Sequence, residues 1–278
     1  MCILQGFFYE NDRFILLQYM WLYFFKLICF LIYLTLSNVY AGESVKVATA
    51  SNFLWPLKNL KAQFKILSGH DLIISSGSTT KLYAQIMNGA PYDVFLAADQ
   101  STTRNLIENG QAIANSEFIY ATGKLALWGA DKDRSAQGFQ NDLQNFNFRF
   151  LAIANPKLAP YGRAALEVIE NLELKGALNS RLVYGENIGQ AFQFVYSGNA
   201  DLGFVAVSQL MLIKDAGHYW EIPLYLYKPL RQSAVLLNRA RNNIAAKSFL
   251  DFLKGYEIQK VISNEYGYLS TTQVKPER

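Results

Sequence analysis

Residues 45–64 read Val-Lys-Val-Ala-Thr-Ala-Ser-Asn-Phe-Leu-Trp-Pro-Leu-Lys-Asn-Leu-Lys-Ala-Gln-Phe. Apart from Lys46, the first six are β-branched or small apolar residues in a short run, the pattern of a buried strand. Phe53, Leu54, Leu57, Leu60 and Phe64 then recur at the spacing of one helix face. Pro56 falls in the first turn of that helix, where its missing N–H removes no hydrogen bond. Ser51-Asn52 is the hinge between the two. A strand that feeds a helix through two small polar residues is the opening half of a βαβ unit.

The same alternation continues along the chain. Leu72–Ser76 is expected to be a strand, followed by Gly77-Ser78-Thr79 and a helix through Leu82, Ile86 and Met87 that stops at Gly89. Strands are expected at Tyr92–Ala97, Tyr120–Trp128, Phe150–Ala154, Leu182–Tyr184, Asp201–Ala206 and Gln232–Leu237. Helices are expected at Thr102–Asn109, with Gly110 as stop, and at Gly162–Leu172, Ile188–Tyr196, Ile244–Leu253 and Glu257–Ser263. The stretch 130–148 reads as polar and irregular. Strands alternating with helices of about ten residues define an α/β fold with mostly parallel sheets. Right-handed crossovers then bring every strand's carboxyl end and every following helix N-terminus to one sheet edge. No repeat of 20–50 residues and no Pro/Gly/Ser linker divides the chain, which leaves room for two lobes joined by crossing strands.

Composition narrows the chemistry. The 278 residues carry 26 Lys+Arg against 22 Asp+Glu, a net charge of +4, and 51% hydrophobic residues. The apolar excess is local: 30 of residues 1–41 are apolar, whereas the remaining 237 are about 47% apolar, ordinary for a globular domain. From Met20, a short region with Lys26 precedes the apolar run Leu27–Leu36, and Ser-Asn-Val-Tyr-Ala ends at Ala41. That is the layout of a secretory signal peptide covering 1–41. A retained anchor is the alternative, but a span needs about 20 apolar residues and Lys26 interrupts the stretch. Residues 1–19 hold Glu10, Asp12 and Arg13 and do not resemble a leader start, so Met20 is the expected true start. Both cysteines, Cys2 and Cys29, lie in this leader and neither falls at the cleavage point, so the body has no disulfide, thiolate site or lipid attachment. His70 and His218 are the only histidines, too few for a His-rich metal site, and both read as structural. The basic residues form no run, so nucleic acid is not an expected partner.

Four turns share one design: Ala50-Ser51-Asn52, Gly77-Ser78-Thr79, Pro160-Tyr161-Gly162 and Asn187-Ile188-Gly189 each close a strand or loop and open a helix. Helix N-termini carry unpaired N–H groups and about half a positive charge, so several converging on one crevice make an anion site without a formal cation. Taken singly, Ser, Thr and Asn at such places are N-caps; four together in a chain lacking other chemistry point to binding. Ser78-Thr79-Thr80-Lys81 matches the Ser-x-x-Lys pattern of a nucleophilic serine, but no Lys-Thr-Gly follows, so a secreted serine hydrolase using Ser78 and Lys81 is a distant alternative. Gly123-Lys124 lacks the flanking residues of a phosphate-binding loop. Glu167, Glu170 and Glu173 are expected on a solvated helix face.

The segments VKVATASNF (45–53), SSGSTTKLYAQIMNGAPYD (75–93) with VFLAAD (94–99), ANPKLAPYG (154–162), Gly189-Gln190-Ala191 and ADLGFVA (200–206) resemble the periplasmic molybdate-binding proteins of ABC transporters. The resemblance runs in order from about residue 43 to the C-terminus. It implies a two-lobed type II periplasmic binding fold, with lobe I at 42–122 plus 229–278, lobe II at 123–228 and the ligand in the cleft between. It also implies a monomeric, non-enzymatic periplasmic protein without a cofactor, whose ligand is molybdate or tungstate and whose partners are the permease and ATPase subunits. Carried over position by position, the resemblance puts Ser51, Asn52 and the Thr79 hydroxyl on the oxyanion, together with the backbone N–H groups of Tyr161 and Ile188. Thr79 stands where the family has Ser and Ile188 where it has Val; both keep the donor. Lys81 and Arg163 lie near these turns. A fully ionised tetrahedral dianion needs donors and no acceptors, which such a set offers; sulfate has the same shape and charge, so another tetrahedral oxyanion is the alternative ligand.

Overall fold

The computed structural model describes residues 20–26, 43–178 and 180–269. The chain separates into two units, 1–41 and 42–278. In the first, residues 20–26 are helical and exposed; the expected apolar run and cleavage point lie outside the described residues. Among the described residues no helix is long and apolar enough to cross a membrane.

The second unit contains two five-stranded sheets. The first has the order β2-β1-β3-β10-β4, built from β1 (Ser44–Ala50), β2 (Asp71–Gly77), β3 (Val94–Ala97), β4 (Phe118–Gly123) and β10 (Leu230–Leu236). The second has the order β7-β6-β8-β5-β9, from β5 (Leu125–Trp128), β6 (Leu151–Ala154), β7 (Leu182–Gly185), β8 (Leu202–Ala206) and β9 (Trp220–Glu221). β1 pairs in parallel with β2 and β3, and β6 with β7 and β8. The βαβ units thus form as their apolar runs require, and the buried strands carry Val, Ile, Leu and Ala on both faces. The sheets are mixed beyond that point. β10 runs antiparallel to β3 and β4, and β5 antiparallel to β8 and β9.

Those antiparallel strands are the ones that carry the chain between sheets. The single strand expected over Tyr120–Trp128 is two strands, one in each sheet, separated by Lys124 alone. Thr122-Gly123-Lys124 interrupt the apolar pattern at the break, but the apolar residues on both sides, each buried in its own core, read together as one strand. Gly123 makes the crossing possible. A Cβ there would stand 2.1 Å from the Tyr161 hydroxyl and 2.6 Å from Gln232 Nε2.

The helices cover the sheets: α1 (Leu54–Ser68), α2 (Thr79–Met87), α3 (Gln100–Glu108), α4 (Ala136–Asn145), α5 (Pro160–Asn171), α6 (Lys175–Leu178), α7 (Ile188–Tyr196), α8 (Val207–Leu210), α9 (Ile244–Lys254) and α10 (Tyr256–Asn264). α4 lies inside the stretch expected to be irregular. Only Phe139 and Leu143 bury apolar side chains there, too few to show a period, and Ser135 starts the helix by accepting from Gly138 N. α5 begins two residues before its expected start, with Pro160 in the first turn. Gly69 ends α1 with φ +74°, the left-handed C-cap that glycine favours.

Gly123→Ala drives a methyl group into the crossing point. The expected result is a loss of about 1–3 kcal/mol of stability, the range for overpacking, read by chemical denaturation.

Candidate functional site

The carboxyl ends of the parallel strands deliver the four turns to one place between the sheets. β1 leads into Ser51–Phe53, a turn of 3-10 helix; β2 leads into Ser78 and α2; β6 leads toward α5; β7 leads into α7. Contacts between these elements show that both halves meet there. Gly189 N, at the start of α7, donates to Ser51 Oγ (3.2 Å). Thr80 N on α2 donates to Leu158 O before α5 (3.2 Å). Ser208 Oγ donates to Asn52 O (3.0 Å).

The helix N-termini are almost fully used up by the protein, and what remains is informative. In α5, Pro160 has no N–H, and the amides of Gly162 and Arg163 both donate to Ala159 O (3.0 and 3.2 Å). Tyr161 N is left without a protein acceptor among the described residues. In α7, Gly189 N is held by Ser51, Gln190 N by Asn187 Oδ1 (3.1 Å) and Ala191 N by Asn187 O (3.1 Å), which leaves Ile188 N. In α2, Thr80 N is taken by Leu158 and Leu82 N by Ser78 O (3.0 Å), which leaves Thr79 and Lys81. First-turn amides lack intrahelical partners by geometry, and buried ones are nearly always satisfied. Thr79, Tyr161 and Ile188 are each at most 3% exposed. Tyr161 and Ile188, expected to bind through their amides, and Thr79, expected to bind through its hydroxyl, each offer an N–H without a protein acceptor among the described residues.

Two hydroxyls are oriented by contacts in which they accept. Thr79 Oγ1 accepts from Ala98 N (3.2 Å), and Ser51 Oγ accepts from Gly189 N. Each keeps its own hydrogen to donate. Ile188 is also steadied from behind: Gln209 Nε2 donates to its carbonyl (3.2 Å), while Gln209 Oε1 accepts from Ala206 N (3.0 Å).

The charged neighbours are committed elsewhere. Lys81 Nζ pairs with Glu186 at 2.7 Å, and Arg163 pairs with Asp99. Both pairs run between an element of the first sheet and one of the second. With its ammonium held by a carboxylate, Lys81 is poorly placed to act as a base for Ser78, which removes the support for a serine hydrolase. His70 accepts from Glu43 N (3.2 Å) at the start of the body, and His218 is exposed. No group of three or more metal-ligating side chains occurs among the described residues. Glu167 departs from the expected solvated face: it is half-buried and accepts from Lys228 N (2.7 Å).

Asn52 sits differently from the other turn residues. Its side chain enters a buried network missed in the sequence. Asn52 Nδ2 donates to Gln232 Oε1 (2.7 Å) and to the Tyr268 hydroxyl (3.0 Å). Gln232 Oε1 also accepts from the Tyr120 hydroxyl (2.9 Å), and Gln232 Nε2 donates to the Tyr161 hydroxyl (3.1 Å). Burial pushes the phenol pKa values of Tyr120, Tyr161 and Tyr268 upward, so all three stay neutral hydrogen-bonding groups. The available signal was Gln232 itself, a polar side chain beside Ser233 at the head of the apolar run 234–237. Ser78, part of the Gly77-Ser78-Thr79 turn and of the Ser-x-x-Lys pattern, is not among the residues that the resemblance puts on the oxyanion. It is 2% exposed, stands at the N-cap of α2 without capping it, and its Oγ has no partner among the described residues.

Two α/β lobes joined by crossing strands, with helix N-termini from both turned to a shared buried centre, define a type II periplasmic binding fold and the solute-capturing class of proteins built on it. The chain belongs to the bacterial extracellular solute-binding protein family, whose family model matches residues 45–269. It is 47% identical over 235 residues to the molybdate-binding protein ModA of Azotobacter vinelandii, covering 82% of this chain and 90% of that protein. It is 43% identical over 233 residues to the ModA of Rhodobacter capsulatus, covering 83% and 89%. The solved Azotobacter vinelandii periplasmic molybdate-binding protein superposes with a TM-score of 0.77 at 39% identity, over 84% of this chain and 100% of that one. A sulfate-binding protein of Mycobacterium tuberculosis, at 12% identity and a TM-score of 0.68, shares the fold.

Asp99→Asn with Glu186→Gln removes both inter-lobe ion pairs while keeping side-chain shape. Half-exposed pairs contribute about 0.2–1 kcal/mol each, so release of a bound anion is expected to speed up roughly 2- to 30-fold in stopped-flow measurements. The difference from wild type should shrink in high salt.

Proposed function

We propose that this protein captures molybdate or tungstate outside the cytoplasmic membrane and delivers it to the permease and ATPase subunits of an ABC transporter. The observation that carries the reading is the set of donors left over at the cleft: the amides of Thr79, Tyr161 and Ile188 and the hydroxyls of Ser51 and Thr79, with Lys81 and Arg163 already neutralised by Glu186 and Asp99. A neutral, dry cage of donors suits a dianion that brings no proton of its own, because hydrogen bonds to a charged acceptor are strong and gain further from a low local dielectric. Phosphate carries a proton at neutral pH and needs an acceptor; the three amides offer none, and the Ser51 and Thr79 hydroxyls already accept from Gly189 N and Ala98 N. Relatives more than 40% identical over most of the chain are named for molybdate.

In this reading the protein acts by binding and closure, without a catalytic step or a cofactor, as a periplasmic monomer. Residues 1–41 serve as its export signal. Lobe I comprises 42–122 with 229–278 and lobe II 123–228, and their closure over the anion forms the surface that the transporter recognises. Ser51, Asn52, Thr79, Tyr161 and Ile188 are the binding residues.

Calorimetric titration of the purified protein with molybdate, tungstate, sulfate and phosphate tests the reading. Tight binding of molybdate and tungstate with weak binding of sulfate is expected, since sulfate is smaller and leaves the cage underfilled. Tight sulfate binding with no molybdate response would sink it. Thr79→Val removes one hydroxyl donor at nearly constant volume and is expected to weaken molybdate binding by about 1–3 kcal/mol, roughly 5- to 150-fold in Kd. Wild-type affinity in that variant refutes the placement of Thr79.

A further inference from the structure

The network around Gln232 contains one atom that does not fit an anion site. Asn52 Nδ2 spends both hydrogens on Gln232 and Tyr268, while Asn52 Oδ1 is buried with no partner among the described residues. A buried carbonyl oxygen without a donor is costly. Beside a bound dianion it is worse, because its partial negative charge repels the ligand.

Turning the two amides over together removes the conflict without moving any other group. Gln232 Nε2 then donates to Asn52 Oδ1 across the same 2.7 Å and to the Tyr120 hydroxyl across 2.9 Å. Tyr120 donates onward to Ala97 O at 3.4 Å. Gln232 Oε1 accepts from the Tyr161 hydroxyl across 3.1 Å. The Tyr268 hydroxyl, which otherwise donates to Asn52 O at 3.1 Å, turns its one hydrogen to Asn52 Oδ1 across 3.0 Å, and Asn52 O keeps the Ser208 hydroxyl as its donor. Both amide oxygens and the Gln232 NH2 group then have partners, and the Asn52 NH2 group takes the unpartnered position. Neither amide can turn alone, since Asn52 and Gln232 would then face each other oxygen to oxygen or nitrogen to nitrogen.

We infer that Gln232 is a positioning residue for anion binding: in the ligand-bound protein its amide holds Asn52 with the NH2 group on the oxyanion. This rests on the oxyanion reading of the site. Gln232 reaches the ligand only through Asn52, and by its bond to Tyr161 it links that choice to the helix whose first amide is also a donor. The arrangement rejects ligands that present a proton at this position, since two N–H hydrogens would meet it.

The test is side-chain amide NMR on the purified protein titrated with sodium molybdate, with the Asn52 signals assigned by their loss in Asn52→Asp. At saturation the Asn52 amide protons are expected to shift and to exchange more slowly with water. The Gln232 amide protons should show their nuclear Overhauser contacts to the Tyr120 ring rather than the Tyr161 ring. Gln232→Met, of similar volume and without hydrogen-bonding groups, should raise the molybdate Kd at least tenfold and abolish the Asn52 shift. Wild-type protein that binds molybdate with Asn52 signals unmoved, or with Gln232 contacting the Tyr161 ring, overturns the inference and leaves the ligand reading standing. Wild-type protein that binds neither molybdate nor tungstate overturns both.

Discussion

Gln232 lies on the strand that returns the chain to the first sheet, and its buried amide holds Asn52, Tyr120 and Tyr161 at the same time. The rest of the site depends on that three-way contact. Asn52 belongs to the turn after β1, Tyr120 to β4 just before the crossing, and Tyr161 to the first turn of α5 in the other half. A single neutral amide therefore fixes two lobes against each other where the chain passes between them. Phe53 packs edge-on against Tyr120 and Tyr268, with ring centroids 4.8 and 5.7 Å away, and closes the network off from water. In such surroundings each hydrogen bond is strengthened, and each unmatched atom is expensive.

The same economy governs the charges. A dianion could be held by lysines and arginines, but a cation in the cleft would attract any anion and would itself need hydration or a partner when the cleft is empty. Here the two cations near the turns pair with carboxylates across the cleft, and in the proposed reading the attraction is left to amides and hydroxyls whose positions are set by helix geometry. Amides at helix N-termini are rigid, cannot lose a proton, and point along the helix axis toward the bound charge. In the proposed reading, selectivity rests on size and on the absence of acceptors, two properties that a rigid cage can enforce.

Much of this was legible before any coordinates. The period-two and period-3.6 runs located the parallel strands and most helices because burial on both faces or on one stripe leaves its mark in the order of apolar residues. The turns that hold Thr79, Tyr161 and Ile188 stand out because they open helices, and among the described residues the amides of these three lack a protein acceptor. The failures have equally physical causes. α4 escaped notice because two buried side chains suffice to anchor a ten-residue helix on a large lobe. The break at Lys124 is marked only by Thr122-Gly123-Lys124, too short an interruption to separate two buried strands in succession.

Sequence by itself therefore determined the α/β class, the turns that open the helices, and the neutral donor character of the residues in them, since all three follow from local patterns of a few neighbouring residues. Tertiary structure decided which donors remain after the protein has satisfied the others, and that Lys81 and Arg163 are neutralised by Glu186 and Asp99. It also decided that Asn52 answers to Gln232, 180 positions away. Those outcomes depend on distances between segments remote in the chain, which the crossing of two strands sets and no local pattern records.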